Sequence, residues 1–223
     1  MECELLYQVV RENQATRGIE IGMAYGISSL CLADALQQVA IRRGSSARLV
    51  SIDSHQTASF KRAGIHLLQR AGYDSVLTVV EAPSQLALPE FVMRGERFDI
   101  GFIDGWHTFD HTLVDFFFVD QLLENGGVVV FDDVGYPAVQ ACVRFILANR
   151  DYELVRAIGS ASLPGAALRA RRSIKRWIRR FARTDADPSA RDVALFRSFE
   201  SASAVVLRKR GADTRRFDHF ARF

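Results

Sequence analysis

Asp104, His107, Asp132 and Asp133 are the residues of this chain whose types and spacing invite chemistry. Asp104 closes the apolar run Ile100–Ile103, and His107 follows three residues later. Asp132 and Asp133 close a second run, Val128–Phe131. A short apolar, β-branched run bounded by Gly and Asp reads as a buried strand of a parallel sheet. If the two strands are neighbours, their acids and the histidine meet at one sheet edge, where open α/β sheets bind their ligands. Three carboxylates brought together repel one another, and a hard cation or a shared proton relieves them. Oxygen ligands suit Mg²⁺, Mn²⁺ or Ca²⁺ better than zinc. His111 stands one helical turn beyond His107, but no thiolate or third histidine lies nearby to complete a zinc set. An imidazole with an ordinary pKa of ~6.5 accepts a proton near neutral pH, which makes His107 a candidate general base. The plainer alternatives are helix caps for the acids and a hydrogen-bonded loop residue for the histidine.

Those residues need elements to hold them. Between the two runs, Thr108–Glu124 is long enough for a crossover helix, with Asn125-Gly126-Gly127 as its stop. Upstream, Glu4–Asn13 reads as a short helix and Arg17–Gly22 as a strand ending in glycine. Gly22 and Gly26 then make a small-residue turn into a helix that carries Leu32, Leu36 and Val39 on one face and that Gly44 closes. Glycines let backbone approach a ligand, and a helix N-terminus offers N–H groups to an anion, although such a turn also uses glycine for steric reasons alone. Arg48–Ile52 is a second strand ending on Asp53, an acid placed to hold ribose hydroxyls or simply to cap a turn. His55 just after it reads as structural. Phe60–Ala71 predicts a helix, Val76–Val80 a strand, and Gln85–Arg94 a helix kinked or restarted at Pro89. After the central pair, Pro137 opens a helix with Val139, Cys142, Val143 and Ile146 on one face, Tyr152–Ile158 is a strand, and Ala204–Leu207 is a last strand. This alternation predicts a doubly wound, Rossmann-like α/β sheet in a single domain spanning residues 1–223.

The bulk numbers fit such a domain. With 223 residues, 48% hydrophobic and 25% charged, the chain is long enough for one large core. No apolar run approaches the ~20 residues that span a bilayer, and the acidic Met-Glu-Cys-Glu start is no signal peptide. Cys3, Cys31 and Cys142 are odd in number and widely spaced, as expected of reduced thiols in the cytoplasm. The net charge of +3 is uneven: Arg169–Arg183 holds eight basic residues, and without them 21 basic residues face 26 acidic ones, a balance of −5. That argues against a nucleic-acid-binding core. Ile174, Trp177, Ile178 and Phe181 share one face of this basic stretch, so residues 159–200 read as a basic helical insertion before the last strand. Its apolar face suits docking on its own domain or on a second copy in a homo-oligomer better than an anionic membrane, which needs a second anchoring signal.

The stretch Glu20–Leu30, EIGMAYGISSL, resembles the first motif of class I S-adenosylmethionine-dependent methyltransferases. IDGWHTFD followed by GGVVVFDD is similar to metal-dependent O-methyltransferases, of the catechol type and, closer, of the macrolide-sugar (macrocin and mycinamicin) type. The resemblance runs from about Arg17 to Ile158. It implies a seven-stranded sheet with the last strand antiparallel. It implies that Glu20, Gly22, Gly26 and Ser28 bind the amino-acid end of S-adenosyl-L-methionine, Asp53 the ribose, and Ala82 and Ser84 the adenine, with Asp104 bordering the cofactor. It also implies that Asp104, Asp132 and Asp133 ligate a divalent cation such as Mg²⁺, and that His107 is the base. The reaction expected is methyl transfer to a hydroxyl of a small molecule carrying adjacent hydroxyls, such as a sugar diol or a catechol. An NAD-dependent oxidoreductase on a similar sheet is the rival enzyme, disfavoured because G-x-G-x-x-G is missing. A non-catalytic cofactor-binding protein is the rival outside catalysis.

Overall fold

The computed structural model describes residues 2–159 and 202–223. In chain order the elements are α1 (Glu2–Glu12), β1 (Arg17–Ile21), α2 (Ile27–Arg43), β2 (Arg48–Ile52), α3 (Ala63–Arg70), β3 (Leu77–Val80) and α4 (Ser84–Met93). They continue with β4 (Phe98–Ile103), α5 (Phe109–Leu122), β5 (Leu123–Phe131), α6 (Pro137–Asn149), β6 (Tyr152–Gly159) and β7 (Ala202–Lys209). The seven strands form one sheet in the order β3-β2-β1-β4-β5-β7-β6. The β1–β2, β1–β4, β2–β3 and β4–β5 pairs are parallel, and β7 runs antiparallel between β5 and β6. This is the seven-stranded arrangement that the resemblance implies, with the strand order reversing between β1 and β4.

Two apolar layers sandwich the sheet. One joins Ile19, Ile103, Val129 and Phe131 to Phe91 of α4, Phe116 and Val119 of α5, and Val143 and Ile146 of α6. The other joins Leu49, Ile100, Phe102 and Val130 to Leu6 and Val10 of α1, Leu32, Leu36 and Val39 of α2, and Leu68 of α3. Alternate residues along β4 and β5 thus feed opposite layers, as the pleat requires. Strands buried on both faces explain why those segments read as continuous apolar runs.

Most boundaries shift from expectation by one or two residues, and two differ in kind. The crossover helix does not run to an Asn125-Gly126-Gly127 stop: α5 ends at Leu122, and Leu123 already pairs with Phe98. Both of these residues are buried, so packing draws residues 123–127 into β5, at the cost of a register shift between Phe98 and Ile100. The helix expected from Phe60 begins at Ala63, because Lys61 and Arg62 adopt left-handed backbone at φ of 50° and 59°. The basic amphipathic stretch at Arg169–Arg183 lies outside the described residues. Among the described residues, no helix is long and apolar enough to cross a membrane.

Candidate active site

The carboxyl ends of the central strands line up residue for residue. Beyond the last strand residues, Gly22 donates its N–H to the Ile52 carbonyl (2.9 Å), Asp53 to Val80 (3.1 Å), Asp104 to Ile21 (2.9 Å) and Asp132 to Ile103 (3.2 Å). Each ladder therefore continues by one bond, and that bond fixes the residue expected to do chemistry. A cavity of about 380 Å³ opens over this edge. Gly22, Asp53, Ala82, Ser84 and Asp104 border it, together with Gln85, Trp106, His111 and Asp115.

The β1–α2 turn is shaped by what it must pass. Gly22 has φ +92°, and a Cβ there would sit 2.0 Å from the Asp104 carbonyl oxygen. Gly26, at φ +80°, passes 2.7 Å from Gly64 Cα by the same measure. Both positions exclude any side chain, so the turn packs backbone to backbone against the loop after β4 on one side and the start of α3 on the other. Glu20 lies fully buried beneath the turn, and its carboxylate accepts from Ser28 (2.6 Å), Ser29 (2.5 Å) and Ser51 (2.5 Å). Burial pushes the Glu20 carboxyl up, against the opposing pull of those hydroxyls. Glu20 and Ser28 thus commit their polar atoms to each other. They and Gly26 stand behind the cavity wall, and the turn offers a ligand mainly backbone. Asp53 does reach the wall, yet its Oδ2 already accepts from the Met23 N–H (3.1 Å), the Ala24 N–H (2.8 Å) and Gln56 Nε2 (3.0 Å). Oδ1 accepts from the His55 N–H (2.7 Å) and is the less crowded oxygen. His55 itself, expected to be structural, borders the cavity.

The acids divide into two groups that share Asp104. Ligand atoms of Asp104, His107 and Asp133 lie within 4.8 Å of one another, and so do those of Glu2, Asp104 and Asp132. His107 Nε2 is 3.0 Å from Asp133 Oδ2 and 3.5 Å from Asp104 Oδ1. The ring stacks on Tyr136 with centroids 4.9 Å apart and planes 2° from parallel, which fixes its plane. Asp110 turns instead to His111 at 3.5 Å. Asp133 lies two residues past the end of β5 and takes φ 53°. That left-handed turn, a strained state for a non-glycine residue, carries its carboxylate to His107.

Glu2, from the first turn of α1, is the member that sequence reasoning missed. It hydrogen-bonds Asp132, and burial together with that neighbour raises its carboxyl to about 7. Burial, then Asp132, Glu2 and Asp133, raise Asp104 to about 8. Burial is also the leading cause of the rise at Asp132. Burial and mutual repulsion thus make these carboxyls hold a proton more tightly than separate ones do, and either a proton or a cation would relieve them. No signal in the sequence links Glu2 to residues a hundred positions away. Trp106 and Asp115 were missed too, although Trp106 lies between Asp104 and His107, and Asp115 is a polar residue on the core stripe of α5.

A family profile described as a methyltransferase domain matches residues 19–134, just over half of the chain, from within β1 to just past the Asp132-Asp133 pair. The chain belongs to the methyltransferase domain family. No curated protein matches it by sequence. Similar solved structures include the O-methyltransferase TomG from Streptomyces achromogenes, involved in tomaymycin synthesis and solved with SAM. TomG is 21% identical, with 93% of this chain and 78% of that chain covered at a TM-score of 0.63. Cofactor-bound Rv0187 from MTB is 18% identical, covering 95% and 80% at 0.65. The O-methyltransferase from Bacillus cereus in complex with SAH is 15% identical, covering 93% and 79% at 0.61. For this methyltransferase-family chain, identities this low speak to the shared fold.

Proposed function

We propose that this methyltransferase-family protein transfers a methyl group from S-adenosylmethionine to a hydroxyl oxygen of a small molecule with adjacent hydroxyls, with the help of a divalent cation. One observation carries the reading: Asp104 belongs both to the cavity wall and to the cluster of Glu2, His107, Asp132 and Asp133, so a cofactor and an acceptor oxygen would meet at it. The neighbours solved with SAM or SAH share the fold. The donor set of carboxylate oxygens with one imidazole fits a hard cation. The raised proton affinities of Glu2 and Asp104 mark a place where positive charge is wanted. Asp104, Asp132 and Asp133, joined by Glu2, are the residues that would hold the ion.

When bound, S-adenosylmethionine supplies an electrophilic methyl group, and a divalent cation supplies a Lewis acid that lowers a hydroxyl's pKa. The chain's own part is positioning and proton handling. The β1–α2 turn and Asp53 set the floor of the cavity, and holding two reactants in line supplies much of the rate. His107 takes the hydroxyl proton on its unprotonated ring nitrogen, and Asp133 and Asp104 beside Nε2 stabilise the imidazolium that forms. Tyr136 keeps the ring plane fixed meanwhile.

Calorimetry of the whole chain with S-adenosylmethionine and with NAD tests the cofactor; binding of NAD alone sinks the reading. Elemental analysis and turnover of a catechol surrogate in excess EDTA test the metal. Full turnover with no metal retained removes the cation from the proposal.

A further inference from the structure

The side of the sheet that carries α4, α5 and α6 is apolar on its outer surface as well as its inner one. Inward, α4 buries Ala87, Leu88 and Phe91, and α5 buries Phe116 and Val119. Outward, the same two helices leave Leu86, Met93, Val114 and Phe117 exposed, Met93 by 79%. None of the four borders the cavity, so the site does not account for them. A helix that is apolar all round is ordinarily covered on every side. Because α4 packs directly on α5, the two outward stripes are neighbours. Beyond β7 the chain returns along this side as a strap with three anchors. Asp213 pairs with Arg150 at 2.9 Å, and Ala221 exchanges two hydrogen bonds with the Asn149 side chain, at 2.7 and 2.8 Å. The Phe223 ring lies 5.1 Å from that of Phe145 on α6 and 6.2 Å from that of Phe109 on α5. Between the first two anchors Phe217 stands 99% exposed and Phe220 69%. The charges of strap and stripes are opposite. Residues 210–223 hold four arginines against two aspartates, a balance of +2. Neither α4 nor α5 contains a lysine or arginine, and Glu90 and Asp110 are exposed on them.

We infer that a second copy of this chain covers this surface: Phe217 and Phe220 of each strap seat on the α4–α5 stripes of the other, in a two-fold dimer. Strap and stripes lie on the same side of the sheet, so one two-fold axis completes both exchanges at once. Had they lain on opposite sides, the same contact would build an open chain of subunits. Aromatic rings in an apolar centre, with arginines meeting carboxylates at the rim, are the composition of a specific interface. The pairing of unlike charges selects strap on stripe, since stripe on stripe sets Glu90 and Asp110 against their own kind.

Sedimentation of the whole chain at concentrations up to about 100 μM should show a dimer. Two variants leave the buried core untouched: the double change Phe217→Asp with Phe220→Asp on the strap, and Phe117→Asp on α5. Each should weaken dimerisation by about 10- to 100-fold with circular dichroism unchanged. Mixing the two variants should recover dimers that neither forms alone, because the mixed pair keeps one intact strap on one intact face. Should Phe117→Asp fail to fold, Met93→Asp on the neighbouring stripe replaces it. A wild type that stays monomeric overturns the inference, and cross-links from residues 169–183 to α5 in that monomer would make the chain's own basic segment the cover. Dimers that neither variant weakens overturn it as well, since they form through another surface. A mixture no tighter than either variant alone also overturns it, and places stripe on stripe.

Discussion

Replacing Asp104 by Asn removes the charge at the centre of the carboxyl cluster while nearly keeping its size. In the folded chain, burial and the neighbouring Asp132, Glu2 and Asp133 hold the Asp104 carboxyl at about 8, against an ordinary 3.8. The folded state therefore binds this proton more tightly than the unfolded chain does. The stability that follows is fully present below about pH 4 and is lost as pH rises through about 8. Each tenfold change in proton affinity is worth about 1.4 kcal/mol, so the whole difference sets a ceiling near ~6 kcal/mol. Glu2 and Asp132 relieve the same repulsion when they hold the proton, and the Asp104 side chain is 29% exposed. The part that Asp104 alone accounts for is then about 2–3 kcal/mol. Asp104→Asn has no proton to lose in that window. In EDTA its urea midpoint should match the wild type near pH 4 and exceed it at pH 8 by the equivalent of that energy. Added Mg²⁺ or Mn²⁺ should raise the wild-type midpoint at pH 8 and leave the variant unmoved, since a ligand stabilises only the state that binds it. If wild type and variant differ by the same amount at both pH values, the carboxyl cluster does not carry the strain ascribed to it.

Two further outcomes follow from the site. Gly22→Ala would press a Cβ against the Asp104 carbonyl at a backbone angle that L side chains rarely adopt, so it should lose about 3 kcal/mol or more of stability together with cofactor affinity; an unchanged thermal midpoint contradicts the close packing of these loops. His107→Ala should cut turnover by about 10²- to 10⁴-fold with S-adenosylmethionine affinity intact; turnover per folded molecule within about threefold of wild type rules out the base role, and a loss of metal affinity in that variant makes the imidazole a ligand instead.

The local chemistry of the strands and turns was written in the sequence. Apolar runs ending on Gly22, Asp53, Asp104 and Asp132 identified four parallel strands, because a strand buried on both faces must be apolar until it leaves the sheet. Those same residues lie at the sheet edge, each tied to a neighbouring strand by one last backbone bond. The helix faces were equally legible: Leu32, Leu36 and Val39 on α2, and Val139, Cys142, Val143 and Ile146 on α6, are all buried. The boundary after α5 was not legible, since the signal of Asn125-Gly126-Gly127 is local and the burial of Leu123 against Phe98 is not.

What the tertiary structure alone decided is which polar atoms face the cavity and which are already engaged. Glu20 and Ser28 carry the first motif in sequence, yet their bond to each other is a through-space fact, set by how α2 packs over β1 and β2. The pairing of Asp133 with His107 goes with one left-handed residue, which no side-chain pattern announces. Glu2 entered the carboxyl cluster because α1 packs on α2 and so brings its first turn to the sheet edge. Sequence periodicity fixes which face of an element is buried, since burial is paid residue by residue along the chain. The meeting of Glu2, Asp104 and Asp132 depends on contacts between segments distant in sequence, and those exist only once the layers have closed on one another.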